Sequence, residues 1–301
     1  MITSLTIASL LFYPQSLPVP SAESLCEQAL GHYRAKEYPA ALAAAAPAVQ
    51  QDASNAACHH IYGLSLAAVG RFREAEEHLN RAIALKPGVG NYHYDLGFVL
   101  YQQRKYDASV PVLRQAVELD GENVMARFLL GRTYVSSHRS LRIGNFSELA
   151  LEQFDQVARK NPRFPTLHYH IAQIHSNNGF VDKAMQELKL EIEYQPSNAQ
   201  ARVALAELFL KKGQTPQALE QLQLAERSAP AVGLVHYTLA KAYRESGQLE
   251  KAIESAQKSV RLDATFPDGH YLLGQLYREN GQADLAQQEI ELFQKYKTAQ
   301  P

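Results

Sequence analysis

Apolar residues along most of the chain recur at helical spacing, in short segments separated by glycine or proline. Tyr237, Leu239 and Tyr243 mark one such stripe, and Ala252 and Ile253 begin the next. Apolar positions three or four residues apart are typical of an amphipathic helix with one buried face. The pattern therefore predicts pairs of amphipathic helices joined by tight turns.

The same pattern returns with a period of about 34 residues. The clearest copy covers residues 56–89, with Gly63, Gly70, Ala75 and Pro87 at its fixed places. Other copies begin at residues 90, 165, 199, 233 and 267, and a weaker one begins at residue 22. One helix pair cannot bury its apolar stripe alone, so the units are expected to stack on their neighbours.

The period and these residues resemble the tetratricopeptide repeat family. The resemblance implies an all-α fold, a right-handed α-solenoid of about eight helix-turn-helix repeats over residues 22–297. Its fourth repeat, residues 124–164, is irregular, and residues 298–301 form a short tail.

Glycine is expected at two kinds of position in each repeat. Where paired helices cross closely only a small side chain fits, and an alanine is expected opposite. Where the first helix ends, a left-handed backbone favours glycine. The first kind comprises Gly63, Gly97, Gly131 and Gly274, and the second comprises Gly70, Gly179, Gly213, Gly247 and Gly281.

Residues 1–21 form an apolar leader without a charged side chain. Its apolar run, Leu5 to Tyr13, is shorter than the roughly 20 residues that a membrane-spanning helix needs. The run and the small residues after it fit a signal peptide, although the usual basic start is missing. Export to the periplasm or outside the cell is the favoured interpretation, and a cytoplasmic protein with a disordered leader is the alternative.

The balance of 30 basic and 31 acidic residues argues against a nucleic-acid partner. Two cysteines cannot form a four-cysteine zinc site, and no nucleotide-binding or catalytic motif is present. No enzymatic activity, cofactor or metal is expected. Histidine recurs where the family usually has tryptophan, which predicts a packing role for His59, His93, His168, His236 and His270.

The resemblance implies that the first helices line a concave groove that binds a peptide or protein segment. Aromatic residues interleaved with Arg and Lys in this row are typical of binding hot spots and suit a peptide with apolar anchors and an acidic group. Packing alone is the alternative explanation for the aromatics. The row comprises Tyr94, Phe98, Tyr101, Phe128, Arg132, Tyr169, Gln173, Tyr237, Lys241, Arg244, Tyr271, Gln275 and Arg278.

Two further features leave alternatives open. Extra residues within 136–145 of the fourth repeat carry Arg139 and Arg142, which either contact a partner or are solvated on longer helices. Cys26 and Cys58 lie nearly one repeat apart, and are either a disulfide that staples the weakest repeat or two buried thiols.

The sequence therefore predicts a non-catalytic scaffold whose partner is a protein or peptide. One alternative is a structural or assembly subunit of a cell-envelope complex that uses its convex face and C-terminal cap. Another is an array that works beside a separately encoded enzyme. No membrane span is expected.

Overall fold

The computed structural model describes residues 20–141 and 145–298, without the side chains of residues 138–141. Most of the apolar leader, Arg142 and the end of the tail therefore lie outside the described residues. The described chain forms sixteen α-helices and no strand. They are α1 (Ala22–Arg34), α2 (Tyr38–Gln51), α3 (Ala56–Ala68), α4 (Phe72–Leu85), α5 (Gly90–Gln102), α6 (Tyr106–Leu119), α7 (Val124–Leu141), α8 (Phe146–Lys160), α9 (Leu167–Asn177), α10 (Val181–Tyr194), α11 (Ala199–Lys211), α12 (Thr215–Ser228), α13 (Gly233–Glu245), α14 (Leu249–Leu262), α15 (Pro267–Glu279) and α16 (Ala283–Thr298).

The helices pack in the consecutive pairs that the apolar pattern predicts. Along α1 to α6, and again along α9 to α16, each odd-numbered helix packs on the helix that follows it, which then contacts the next odd-numbered helix. The odd-numbered helices are called first helices below, and the even-numbered ones second helices. Neighbouring first helices also contact each other, as α1 does with α3 and α11 with α13. The all-α repeat fold is thus confirmed.

The chain divides into two compact units, with the boundary between Ala126 and Arg127, near the start of α7. The sequence predicted one array over residues 22–297. Each unit is described by itself below, as the N-terminal unit and the C-terminal unit. The surface that the first helices form in a unit is called its first-helix face.

Both predicted roles of glycine are present. A Cβ atom at Gly63 would lie 2.8 Å from Cγ of Leu79, and one at Gly131 would lie 2.6 Å from Cε1 of Phe154, so any side chain there would displace a core residue. The alanine expected opposite is also present, because the backbone oxygen of Ala75 lies 3.3 Å from that position at Gly63, while the nearest side chain is the large apolar Leu79. Gly70 has the left-handed backbone that ends α3, with φ of 80°.

The extra residues of the fourth repeat mainly lengthen a helix. α7 has 18 residues, whereas the regular first helix α3 has 13. The predicted insert at 136–145 is therefore helical as far as Leu141 rather than a long loop. The side chain of Arg139 and the whole of Arg142 lie outside the described part of the chain, so a contact function for them stays a prediction.

Candidate functional site

A disulfide joins the first two first helices. Cys26 of α1 and Cys58 of α3 are bonded, and their Cα atoms lie 5.3 Å apart. Cys58 is fully buried, and the small side chains of Ala48 and Val49 pack around it. Of the two alternatives left by the sequence, the structure contains the bridge.

The first-helix face of the N-terminal unit contains a cavity of about 450 Å³, called here the aromatic cavity. Tyr94 and Phe98, both predicted groove residues, lie on its α5 side. Phe98 is 38% exposed, unusually open for an aromatic side chain on a helix that packs on both neighbours. The lining residues are Tyr33, Tyr38, Leu64, Ala67, Ala68, Phe72, Tyr94, Asp95, Phe98, Val99 and Gln102.

Tyr101, the third predicted groove residue of α5, has a different environment. Its ring packs edge-on against Tyr106 at the start of α6, with the ring centres 5.3 Å apart. It is absent from the lining of the aromatic cavity. The contact with the second helix of its own pair gives Tyr101 a packing role.

A second cavity of about 280 Å³ lies between α1 and α3 and is called here the acidic cavity. Its apolar floor includes Leu30 and Ile61, and Glu23 and Glu27 stand beside it. The lining residues are Glu23, Cys26, Glu27, Leu30, Asn55, Ala57, His60 and Ile61. The disulfide thus forms part of this cavity.

One hydrogen bond connects the surroundings of the two cavities. Nε2 of His60, which lines the acidic cavity, lies 2.6 Å from Oδ2 of Asp95, which lines the aromatic cavity. Burial, and after it the charge of Asp95, raises the pKa of Tyr33 and of Tyr94 above the ordinary value. These phenols therefore remain neutral hydrogen-bonding groups in the lining of the aromatic cavity.

On the C-terminal unit, a smaller cavity of about 150 Å³ lies between α9 and α11. Tyr169 and Gln173 line it, as predicted groove residues, together with Glu207 and Lys211. Nε2 of Gln173 donates to the hydroxyl of Tyr169 over 3.0 Å, which fixes both side chains at the cavity wall.

His170 lies directly behind that wall. Its Nδ1 is 3.2 Å from Oε1 of Gln173, so a neutral ring with a proton on Nδ1 donates to the amide oxygen. Burial, and after it the charge of Arg132, lowers the pKa of His170 from 6.5 to about 4. The neutral imidazole therefore holds Gln173, which in turn holds Tyr169.

This arrangement predicts an acid-sensitive C-terminal unit. Because the pKa of His170 is lowered in the folded state, the unfolded chain binds the proton more readily than the folded chain does. The contribution of the neutral His170 to the free energy of unfolding is therefore complete above pH 6.5 and is lost as the pH falls towards about 4. As the pH is lowered over this range, the melting temperature of His170→Asn should therefore fall less steeply than that of the wild type. His32→Asn, an exchange in the other unit, is the control. A difference in melting temperature between wild type and His170→Asn that is independent of pH would contradict the assignment.

Phe128 was predicted to face the groove, and the structure shows that it is buried instead. Only 8% of this residue is exposed, and its ring lies 4.6 Å from that of Phe164 and 5.7 Å from that of Phe154. The segment between α8 and α9 places Phe164 over the position that was expected to be open. Arg132, also predicted for the groove, lies with its guanidinium carbon 5.8 Å from the centre of the Phe128 ring.

The predicted cations of α13 lie beside partners of their own. The ammonium of Lys241 lies 5.6 Å from the ring centre of Tyr237, a cation–π contact. Arg244 pairs with Glu279 of α15 and donates from Nη1 to Gln275 over 3.0 Å. The two cationic groups that were expected to attract an acidic group are therefore already engaged by residues of the same unit.

The remaining predicted positions are on α15. Tyr271 is 44% exposed and its ring centre lies 5.0 Å from that of Phe293 of α16. Arg278, near the end of the helix, is exposed. Ile290 of α16 packs towards Gly274, so the apolar stripe of the last helix is partly covered by α15.

Family models match most of the described chain. A model described as tetratricopeptide repeat matches residues 26–90, 94–139 and 177–232, which is more than half of the sequence, and a second one, described as TPR repeat, matches residues 240–281. The chain belongs to the tetratricopeptide repeat (TPR) family. Its repeats give it the architecture of a protein-interaction scaffold.

Solved structures share the TPR fold at low sequence identity. A TPR protein from Parabacteroides merdae is 12% identical with a TM-score of 0.65, over 91% of this chain and 98% of that one. PilF of Pseudomonas aeruginosa is 18% identical with a TM-score of 0.61, over 73% of this chain and 97% of that one. YrrB, a TPR protein with an unusual peptide-binding site, is 19% identical with a TM-score of 0.51, over 64% of this chain and 95% of that one. No curated protein matches the sequence.

The five histidines that recur in the TPR repeats have a polar role that the sequence analysis did not predict. All five are buried, and Nε2 of each lies within hydrogen-bond distance of the backbone carbonyl six residues earlier, at distances between 2.8 and 3.2 Å. A carbonyl only accepts, so Nε2 carries the proton and donates. Arg202, at the same place in α11, donates from Nη2 to the carbonyl of Pro196 over 2.9 Å. We call this contact the junction bond.

Glu191 is a second polar residue that sequence reasoning missed. It is 1% exposed on α10, and its carboxylate accepts from the backbone N–H of Thr166 over 3.2 Å and of Tyr169 over 3.3 Å. It thereby satisfies N–H groups at the start of α9, which lack partners within the helix. The sequence did contain a signal for this role, because Glu191 occupies a position where other repeats have alanine, such as Ala82 and Ala225.

The described residues contain no group of three or more His, Cys, Asp or Glu side chains that could hold a metal ion. Among those same residues, each helix is too short or too polar to cross a membrane.

Proposed function

We propose that the chain is a non-catalytic scaffold that binds a segment of a partner protein on its first-helix faces. The observation that carries this proposal is the aromatic cavity, where Tyr33, Tyr94 and Phe98 surround a space of about 450 Å³. Aromatic side chains give large contact areas at low entropic cost and dominate binding hot spots. A partner side chain that fills the cavity would cover the exposed part of Phe98.

The first-helix face of the C-terminal unit also contributes to the proposed contact with the partner, through fewer residues than the sequence predicted. Tyr169 and Gln173 line its cavity, and Tyr271 presents an exposed ring. Phe128 is excluded because it is buried, and Arg244 is engaged by Glu279. The contact surface of this unit is therefore smaller than the sequence predicted.

Export to an oxidising compartment, periplasmic or extracellular, is also proposed. The Cys26–Cys58 disulfide supports it, because such bonds persist where thiols are not kept reduced. Alkylation of the protein directly in lysed cells, followed by mass spectrometry, tests this point. Two free thiols in the cellular protein would argue for the cytoplasm.

The groove proposal predicts a specific loss of partner binding. Tyr94→Ala with Phe98→Ala should weaken binding more than tenfold, because hot-spot residues typically contribute about 2 kcal/mol or more each. Phe98→Ala alone is a second variant, since its exposed side chain contributes little to folding. Affinity capture from a lysate of the source cells, followed by titration of the retained partner, measures the effect.

Leu119→Ala is the matched control. Leu119 belongs to α6, a second helix of the same unit, and is 40% exposed, like Phe98 at 38%. Equal retention of the partner by all variants would contradict groove binding. It would favour the alternative of an assembly subunit of a cell-envelope complex, whose surface would include the convex face and α16, where Leu285 is 39% exposed.

A further inference from the structure

The geometry points to a cationic partner segment for the N-terminal unit. We propose that an extended peptide places an aromatic or large aliphatic side chain in the aromatic cavity and a Lys or Arg beside Glu23 and Glu27 at the acidic cavity. This inference rests on the proposed function, which it deepens by giving the chemistry of the partner.

The charges that line the two cavities have one sign. Glu23, Glu27 and Asp95 are acidic, and His60 is engaged by Asp95 at 2.6 Å. Glu23 and Glu27 are both exposed. A cation that approaches this face therefore meets carboxylates that are open to it, and an anion meets only their repulsion.

The acidic cavity also fits the shape of a long basic side chain. Glu23 and Glu27 are four residues apart on α1, so they project from the same side of the helix. Leu30 and Ile61 provide apolar surface next to them. Lys and Arg bind such sites with their methylene groups on apolar surface and their charged ends at a carboxylate.

The two cavities are close enough for one short segment to reach both. Tyr33 of the aromatic cavity lies six residues beyond Glu27 on α1, which corresponds to about 9 Å along the helix axis. An extended peptide advances by about 3.4 Å per residue. The basic residue and the apolar anchor are therefore expected about three positions apart.

This expectation differs from the sequence prediction of an acidic group in the partner. That prediction rested on four basic residues of the row, which all belong to the C-terminal unit: Arg132, Lys241, Arg244 and Arg278. The basic residues of the row lie outside the N-terminal unit, so its cavities recognise the opposite charge.

Selection from a display library of random peptides, with the full chain as bait, tests the inference. Peptides whose binding is lost in Phe98→Ala should be enriched in Lys or Arg about three positions from an aromatic or aliphatic anchor. Glu23→Gln with Glu27→Gln should weaken a selected synthetic peptide about threefold to tenfold, as expected for loss of exposed ion pairs, and the loss should shrink at high salt. Glu77→Gln with Glu118→Gln, two exposed glutamates of second helices, is the control and should bind like the wild type.

The outcomes separate the two proposals. Enriched peptides that depend on Phe98 but carry acidic or no charged residues, or that bind equally to the Glu23→Gln and Glu27→Gln double variant, would overturn the cationic inference while the groove proposal stands. If no selected peptide depends on Phe98, both fail.

Discussion

Replacement of Phe154 by alanine is expected to lower the free energy of unfolding of the C-terminal unit by about 3 to 5 kcal/mol. Phe154 of α8 is 0% exposed and is the largest of the fully buried side chains in the described chain. Its ring fills the space that Gly131 leaves open and lies 5.7 Å from the ring of Phe128 and 6.2 Å from that of His170. The alanine variant would leave a cavity between α7, α8 and α9.

Phe180→Ala is the matched control for this prediction. Phe180 precedes α10 and is 53% exposed, so the same change of side chain should cost about 1 kcal/mol or less. The chain contains no tryptophan, so urea unfolding is best followed by far-ultraviolet circular dichroism. Similar losses in the two variants would mean that Phe154 is not at the centre of the packing between these helices.

Removal of the disulfide has the second large expected effect. The bond closes a loop with a sequence separation of 32 residues, and loss of such a constraint on the unfolded chain corresponds to about 3 to 4 kcal/mol. The first helix pair has few large buried side chains to hold it without the bond, because α2 contributes mainly alanines such as Ala41, Ala45 and Ala48 to the core. Cys26→Ser with Cys58→Ser should therefore release the first helix pair at lower temperature than the rest of the chain.

Hydrogen exchange followed by mass spectrometry resolves this effect by segment. Faster exchange is expected in α1 and α2 of the double variant, and a reductant should produce the same change in the wild type. The double variant itself is the control for the reductant, since it has no disulfide to lose. Unchanged exchange in α1 and α2 would show that packing alone holds the first pair.

The helix pairs could be predicted from the sequence because their causes are local. Apolar spacing defines the buried face of each helix, and a glycine such as Gly70 marks the end of the first helix of a pair. These signals depend on residues within the same repeat. The number of helix pairs and the close crossing at Gly63 therefore agree with the structure.

The candidate site was less predictable because the environment of its residues comes partly from neighbouring repeats. The sequence places Phe128 at a groove position, but Phe164, from the segment before the next helix pair, covers it. Arg244 is likewise less available to a partner protein, because it pairs with Glu279 of the following helix pair. Exposure and charge on a first-helix face depend on such contacts, which a residue's place within its own repeat does not reveal.

The junction bond has a consequence for how the chain acquires its structure. Each such bond spans only six residues, and the helix contacts within each unit mostly join elements that are adjacent in the chain. Folds of this kind have a low contact order, which is associated with rapid folding. A repeat emerging from the ribosome can close its junction as soon as its own first helix forms, without waiting for residues that have yet to be synthesised.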